Sequence, residues 1–247
     1  MSISLPPSVE KLICYPESDG KPMSDNTRQF RWILFLFGNI AARFRSDPNV
    51  FVSGNQFWYP EKNRPDIHVT PDVYVVFGRP KGDRGSYKQW EEGGVPMTVV
   101  FEVPPLNNTP AEMEDQFAFY ERYGVEEYYI YDPYKNQLQV FLRRDNVVAP
   151  VWPVEGFTSP RLGIRFEMTA PEMTVFLPDG SPFKTFKALK AERTLIQERA
   201  EKAEQRAEKA EQRNTRLVEL SRKARQGLAT PQELEELNRL EEGSSPG

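Results

Sequence analysis

Two carboxylates stand in stretches of the chain that are otherwise apolar and β-branched. Asp72 follows Pro71 and precedes the run Val73 to Phe77, and Glu102 ends the run that begins at Val99. An ionised group is costly to bury unless it meets a metal or a partner. Two carboxylates at the same end of neighbouring strands could hold Mg²⁺, which prefers oxygen ligands. The alternative is that Asp72 is a turn residue and that Glu102 reaches solvent at its strand end.

Cysteine and histidine, the residues that most other catalytic and metal sites require, are nearly absent. The chain contains one cysteine, Cys14, and one histidine, His68. An intrachain disulfide, a cysteine-cluster zinc site and the two-histidine H-E-x-x-H motif are therefore excluded. His68 alternates with Ile67 and Val69, which indicates a strand-edge surface residue. We expect a protein of the reducing cytoplasm, without a membrane span, because the longest aromatic-rich apolar run covers only residues 32–37.

The charges of the 247 residues are distributed unevenly. The formal net charge is −4, but residues 1–183 hold 24 of the 36 acidic and 18 of the 32 basic side chains. A broadly basic surface for nucleic acid is therefore absent, and DNA would require a local patch. The loop from Gly78 to Gly94 offers four candidates for phosphate contact, with a solvated loop as the alternative: Arg79, Lys81, Arg84 and Lys88.

These candidates must be positioned by a domain whose limits follow from composition. No aromatic residue occurs after Phe186, so the hydrophobic core must precede it, with a boundary near Lys184. Short β-type runs before and after one helical segment predict an α/β (α+β) domain with a mixed sheet. The expected division is an N-terminal surface segment (1–24), this domain (25–183), a heptad-patterned helix (184–226) and an acidic flexible tail (227–247).

Two helices are predicted inside the domain. In the first, an apolar stripe at helical spacing is expected to face the core, with Ser24 or Asp25 as cap: Phe30, Ile33, Leu34, Phe37, Ala41 and Phe44. The second begins at Thr109-Pro110-Ala111-Glu112, which has the residues of a capping box, and should end at Gly124. Strands are expected at 50–53, 57–59, 67–69, 73–77 and 97–103, followed by a hairpin around 132–136.

The C-terminal region has a repetitive sequence. Residues 200–206 read Ala-Glu-Lys-Ala-Glu-Gln-Arg, and residues 207–213 repeat them identically. The seven-residue frame predicts a long helix with an alanine-rich seam, which favours a single helix over a tight coiled coil. A homodimer would therefore receive only weak help from this helix.

Several motifs together are similar to those of one known family. Pro71-Asp72-Val73, Phe101-Glu102-Val103, the helix that follows and the run from Gly124 to Pro133 resemble the Uma-type putative restriction endonucleases of bacteria. These belong to the PD-(D/E)xK nuclease superfamily, and the resemblance covers roughly residues 25–177. It implies a restriction-endonuclease-like core in which Asp72 and Glu102 bind Mg²⁺ or Mn²⁺, with the Val103 carbonyl as a third ligand. Water would then hydrolyse a phosphodiester bond of DNA.

The chain departs from the family pattern at the catalytic lysine. The superfamily position two residues after Glu102 is occupied by Pro104, and the position in the following helix that usually supplies the lysine matches Gln116. A glutamine can hydrogen-bond water but adds no positive charge. Two hypotheses follow: a metal-dependent endonuclease weakened at Gln116, or a degenerate nuclease fold that binds nucleic acid or protein through its C-terminal helix.

Overall fold

The computed structural model describes residues 14–17, 20, 24, 26–106, 108–168 and 171–242. The chain divides into two compact units, Met1–Lys184 and Thr185–Gly247. Most of the predicted N-terminal surface segment and the last five residues lie outside the described ranges. Within those ranges, none of the helices combines the length and the apolar character that crossing a membrane requires.

The described residues of unit 1 include the helices α1 (Thr27–Arg43) and α2 (Pro110–Tyr123). Its strands are β1 (Val50–Ser53), β2 (Trp58–Tyr59), β3 (Val73–Phe77), β4 (Tyr87–Lys88), β5 (Val99–Glu102), β6 (Glu127–Asp132), β7 (Gln137–Arg144), β8 (Val147–Pro150), β9 (Arg165–Glu167) and β10 (Thr174–Phe176). The strand expected at 67–69 is reduced to one bridge, between Trp58 and Val69.

The main sheet has six strands in the order β1-β3-β5-β6-β7-β8. All neighbours are antiparallel except β5 and β6, which run parallel and are connected through α2. A parallel pair needs such a crossover, and the crossover covers one face of the sheet. The mixed sheet with flanking helices confirms the predicted α/β (α+β) fold class.

Both faces of the central strands are buried, because successive side chains of a strand alternate between its faces. On one face, Val75 and Phe101 pack with Leu36 of α1. On the other, Tyr74 and Val100 pack in a cluster that includes Tyr120 of α2. This explains why β3 and β5 read as continuous apolar runs instead of alternating ones, and why a carboxylate at their ends enters a dry environment.

The apolar face predicted for α1 is wrong in part. The buried side is formed by Trp32, Ile33, Leu36 and Ile40, whereas Phe30, Leu34 and Phe37 are exposed. The helix is apolar around most of its circumference, so periodicity alone does not identify the side that meets the sheet. Its cap is Asn26, whose side chain accepts from the amides of Arg28 and Gln29. The cap was therefore misplaced; Ser24 precedes it, and Asp25 lies outside the described residues.

The limits predicted for α2 are confirmed. Thr109 and Glu112 form the reciprocal capping box, and Pro110 occupies the first turn. Gly124 ends the helix in the left-handed conformation, with φ of 95°. A helix with both ends fixed by local sequence holds its inward-facing side chains at a defined height above the sheet.

Unit 2 consists of α3 (Phe186–Arg225) and α4 (Pro231–Glu242). The flexible tail predicted from residue 227 is wrong where α4 lies. Thr230 and Glu233 form reciprocal capping hydrogen bonds at its start, and Leu237 is buried in unit 2, as is Leu220. Ion pairs also join α3 to α4: Arg216 with Glu236 and Lys223 with Glu233. Basic side chains of α3 therefore compensate part of the acidic charge of α4, which was the basis for predicting a flexible tail.

Candidate metal and catalytic site

Strand register brings the two carboxylates of the sequence prediction together. In the antiparallel pair of β3 and β5, Val73 lies opposite Phe101. Extending this antiparallel register by one residue places Asp72, which directly precedes β3, opposite Glu102, the last residue of β5. Directly after β1, Gly54 passes so close to Asp72 that an added Cβ would lie 2.1 Å from the Asp72 carbonyl oxygen. Only glycine fits there, and the close approach fixes the backbone at the start of β3.

The two carboxyl groups form one cluster, in which Glu102 is buried and Asp72 is half-buried. Asp72 accepts a hydrogen bond of 2.7 Å from the Val103 amide. Glu102 is 7% exposed and accepts one of 2.5 Å from the Tyr120 hydroxyl. Burial raises the pKa of Glu102 well above its ordinary value, and the negative charge of Asp72 raises it further. The backbone amide of Asp72 and the Tyr120 hydroxyl oppose this pKa shift. Glu102 therefore releases its proton at a higher pH than an ordinary glutamate does.

Helix α2 supplies the residues above the pair. Tyr120 is fully buried and contacts Glu102 through its hydroxyl, and burial raises its own pKa. Gln116 lies one turn earlier on the same side of the helix and is half-buried. Tyr120 is a site residue whose role the sequence did not reveal. The only signal was its position on the same helix face as Gln116.

The carbonyl expected as a third ligand has a partner of its own. Gln29 of α1 is 6% exposed, and its Nε2 donates a 2.8 Å hydrogen bond to the Val103 carbonyl oxygen. The sequence prediction did not include Gln29. The only sequence signal for Gln29 is its helical spacing of three residues from Trp32, which places both side chains on the same side of α1. Because a carbonyl oxygen has two lone pairs, this bond orients the Val103 carbonyl and leaves one acceptor position free.

The residues present fit a small divalent cation. In the part of the chain that the structure describes, no group of three or more His, Cys, Asp or Glu side chains could hold a metal. A site here would consist of the Asp72 and Glu102 carboxylates and the Val103 carbonyl, with water completing the shell. Mg²⁺ is commonly bound by one or two carboxylates and keeps several waters. A buried and a half-buried carboxyl group of like charge, close together, are the arrangement that such a cation would neutralise.

The basic side chains of the 78–94 loop are engaged within the protein. Arg79 and Arg84 both bind the nearly buried Glu92, at 2.9 and 2.6 Å, and these contacts lower the pKa of Glu92. The Arg84 guanidinium also lies 4.0 Å from the ring centroid of Phe51. Lys81 donates to two backbone carbonyls at the end of α1. Lys88 has a looser contact, with 3.7 Å to a carboxylate oxygen of Glu91.

A second buried carboxylate lies at the other end of the sheet. Glu127 is 2% exposed at the start of β6, opposite Val99 instead of Glu102. It accepts hydrogen bonds from the hydroxyls of Tyr129 and Ser159 and from the Arg161 amide. Burial still raises its pKa, although these donors oppose the shift. Glu127 therefore fastens the 159–161 turn to the sheet.

Comparison with known proteins gives one family match and a distant structural likeness. The model of the family Uma2, described as putative restriction endonuclease, matches residues 18–171. A crystal structure of a putative nuclease belonging to DUF820 from Anabaena variabilis is 10% identical, with a TM-score of 0.44. The match covers 58% of this chain and 77% of that one. No curated protein matches significantly.

Proposed function

Because the chain belongs to the Uma2 family of putative restriction endonucleases, we propose that it hydrolyses phosphodiester bonds of DNA with Mg²⁺ or Mn²⁺ held at Asp72 and Glu102. The observation that carries this proposal is the close approach of these two carboxyl groups at adjoining strand ends, where Glu102 is buried and Asp72 is half-buried. The negative charge of Asp72 disfavours the ionised form of the buried Glu102, and a bound cation would offset this repulsion.

The chain's own residues have distinct roles in this proposal. Asp72 and Glu102 supply the negative charge that binds the cation, and the Val103 carbonyl adds a neutral oxygen ligand. Tyr120 holds Glu102 by a hydrogen bond, and Gln29 holds the Val103 carbonyl, so both ligands are oriented before a cation arrives. When bound, the cation offsets phosphate charge and makes a water molecule more acidic.

Gln116 limits the expected rate. Its amide can orient a water molecule from α2, but it cannot supply the positive charge that a lysine would place beside the phosphate. We therefore propose a slow nuclease. Lys88 is the loop residue best suited to contact phosphate, because Arg79 and Arg84 are committed to Glu92 and Lys81 to backbone carbonyls.

Nicking of supercoiled plasmid in Mg²⁺ tests the proposal. Gln116→Lys should raise the rate on the order of 10- to 1,000-fold, the range that a single positioned donor contributes elsewhere. Gln116→Lys combined with Glu102→Ala should abolish the gain. Ala118→Lys adds the same charge to the opposite side of α2, where residue 118 is exposed, and should change nothing. Equal nicking by all four proteins would indicate a contaminating nuclease and would remove Gln116 from the site.

A catalytically inactive binding protein is the second candidate. It is favoured by the replacement of both usual lysine positions, by Pro104 and Gln116. In that case calorimetry would detect Mg²⁺ or DNA binding, but neither the wild type nor Gln116→Lys would cut DNA. Loss of Mg²⁺ binding in Asp72→Asn without loss of DNA binding would separate the two functions.

A further inference from the structure

The outer side of helix α1 carries almost no charge. Nine residues of this helix are exposed, and three of them are arginines, the only charged residues that α1 contains. Each arginine binds a neighbouring group of unit 1: Arg28 the Pro133 carbonyl, Arg31 the Glu172 carboxylate and Arg43 the Leu162 carbonyl. The six other exposed residues are Thr27, Phe30, Leu34, Phe37, Gly38 and Ala42.

Three of these residues are large and apolar. Phe30 is 41% exposed, Leu34 47% and Phe37 37%. The opposite side of the helix already packs in the core through Leu36 and Ile40. A helix that is apolar on both sides is typical of one that is covered on both sides. No described residue of unit 1 covers the outer side, so we infer that it is an interaction surface.

Four of the exposed residues form one row along the helix, at a spacing of four residues. Phe30 and Leu34 occupy the N-terminal half of this row, and Gly38 and Ala42 occupy the C-terminal half. Residues at this spacing form a ridge on the helix surface. The ridge is therefore high in its first half and low in its second half.

Gly38 has no role within the protomer that explains it. It lies inside α1 without a positive φ, and an added Cβ would meet no atom within 4 Å. Glycine destabilises the interior of a helix relative to other residues, so an exposed glycine here is unfavourable for an isolated protomer. A residue without a side chain does, however, let a second helix approach closely.

The row is complementary to itself when its direction is reversed, and we propose that two copies of the chain form a dimer through antiparallel packing of α1 on α1. A twofold axis between Leu34 and Gly38 places Leu34 of each copy beside Gly38 of the other, and Phe30 beside Ala42. Each large side chain then meets a small one. Rows at a spacing of four residues interdigitate in this way in the commonest class of helix packing.

A second copy explains the surface better than an unrelated partner, because one contact covers both halves of the row. The 17 residues of α1 span about 25 Å, so the helix face alone is smaller than the about 800 Å² per partner of a standard interface. Phe37 also lines a groove of about 540 Å³ beside β1, which continues the contact surface. We therefore expect a dimer of moderate affinity. This inference does not depend on the proposed nuclease activity.

Sedimentation equilibrium of the full-length protein between about 1 and 200 µM tests the pairing. The wild type should be dimeric at the upper end of this range, and Leu34→Glu should raise the dissociation constant at least about 10-fold, because it buries a carboxylate in an apolar contact. Val147→Glu, which changes an apolar residue 60% exposed on β8, is the matched control and should leave the dimer unchanged. A wild type that stays monomeric, as it would if another part of the same chain covered α1, would overturn the proposal. So would equal dissociation constants in the three proteins.

An exchange of the large and small residues tests the antiparallel arrangement. Gly38→Leu adds a side chain that the protomer accommodates, so the urea midpoint of the monomer should not fall, whereas the dimer dissociation constant should rise at least about 10-fold. Adding Leu34→Ala makes space on the second copy and should recover most of the lost affinity, although Leu34→Ala alone weakens the dimer. A lower urea midpoint for Gly38→Leu would show that the protomer itself requires the glycine. That result, or the absence of recovery in the double variant, would refute the arrangement.

Discussion

The stability of the metal-free protein should fall as pH rises, because the folded state protects a proton at the Asp72 and Glu102 pair. The pKa of Glu102 is raised above its ordinary value of 4.5 by burial and by Asp72. Above pH 4.5 the unfolded chain therefore loses a proton that the folded chain keeps. The stability that this proton contributes is complete below pH 4.5 and is lost as pH rises through the folded pKa.

The magnitude follows from one proton. Within this pH window, the free energy of unfolding should decrease by about 1.4 kcal/mol per pH unit. Glu102→Gln cannot ionise, so it should remove that slope and should be more stable than the wild type at the upper end of the window. Under the proposed function Mg²⁺ binds the ionised pair, so it should flatten the slope of the wild type and not that of Glu102→Gln.

Urea denaturation monitored by tryptophan fluorescence measures this effect in unit 1, because all four tryptophans lie there. The series runs from pH 5 to 8 with and without Mg²⁺. At each pH, linear extrapolation to zero urea gives the free energy of unfolding. Glu127→Gln is the matched control, since its buried carboxyl also has a raised pKa but lies at the other end of the sheet. Because the Asp72 and Glu102 pair is intact in this variant, Mg²⁺ should still flatten its slope as it does that of the wild type. If Glu102→Gln retains the full slope of the wild type, the two carboxyl groups do not share a proton.

Three further substitutions test single contacts. Tyr120→Phe removes the hydrogen bond to Glu102 and should destabilise the protein by about 1–2 kcal/mol, more at high pH, as measured by urea denaturation; equal loss at pH 5 and 8 would argue against a bond to an ionising group. Gln29→Leu leaves a buried carbonyl without its donor, so a loss of about 1–3 kcal/mol and weaker Mg²⁺ binding by calorimetry are expected. Arg84→Ala should lower the melting temperature without changing DNA affinity, because Arg84 stabilises a nearly buried carboxylate; a selective loss of DNA affinity would contradict this role.

Local sequence determined the parts of the fold that were predicted well. The limits of α2 follow from a Thr-Pro start and a glycine stop, both of which act within one turn of the helix. The inward side of α1 could not be predicted in the same way. Its residues are apolar around the helix, and only the packing of the sheet selects Leu36 and Ile40 over Leu34 and Phe37. The helix α4 has a similar Thr-Pro start with local capping bonds, and it was missed because its acidic composition indicated a flexible tail.

The candidate site was also predictable only in part from the sequence. That Asp72 and Glu102 end apolar strands is visible in the sequence, and this made them candidates. That they meet depends on the antiparallel register of β3 and β5, which joins residues about 30 positions apart. Gln29 belongs to the same site from a still greater distance, through a bond to the Val103 carbonyl.

Sequence alone also does not distinguish Glu102 from Glu127, since both are glutamates beside buried strand residues. The structure separates them by their partners. Glu127 accepts hydrogen bonds from three donors, which oppose the effect of burial on its pKa without removing it. Glu102 faces another carboxyl group, and its two donors leave the pKa raised. Both glutamates have a raised pKa, but only that of Glu102 is raised further by a second carboxyl group, which a cation could neutralise. The pH series with and without Mg²⁺ distinguishes the two glutamates, because only the contribution of Glu102 should respond to a metal.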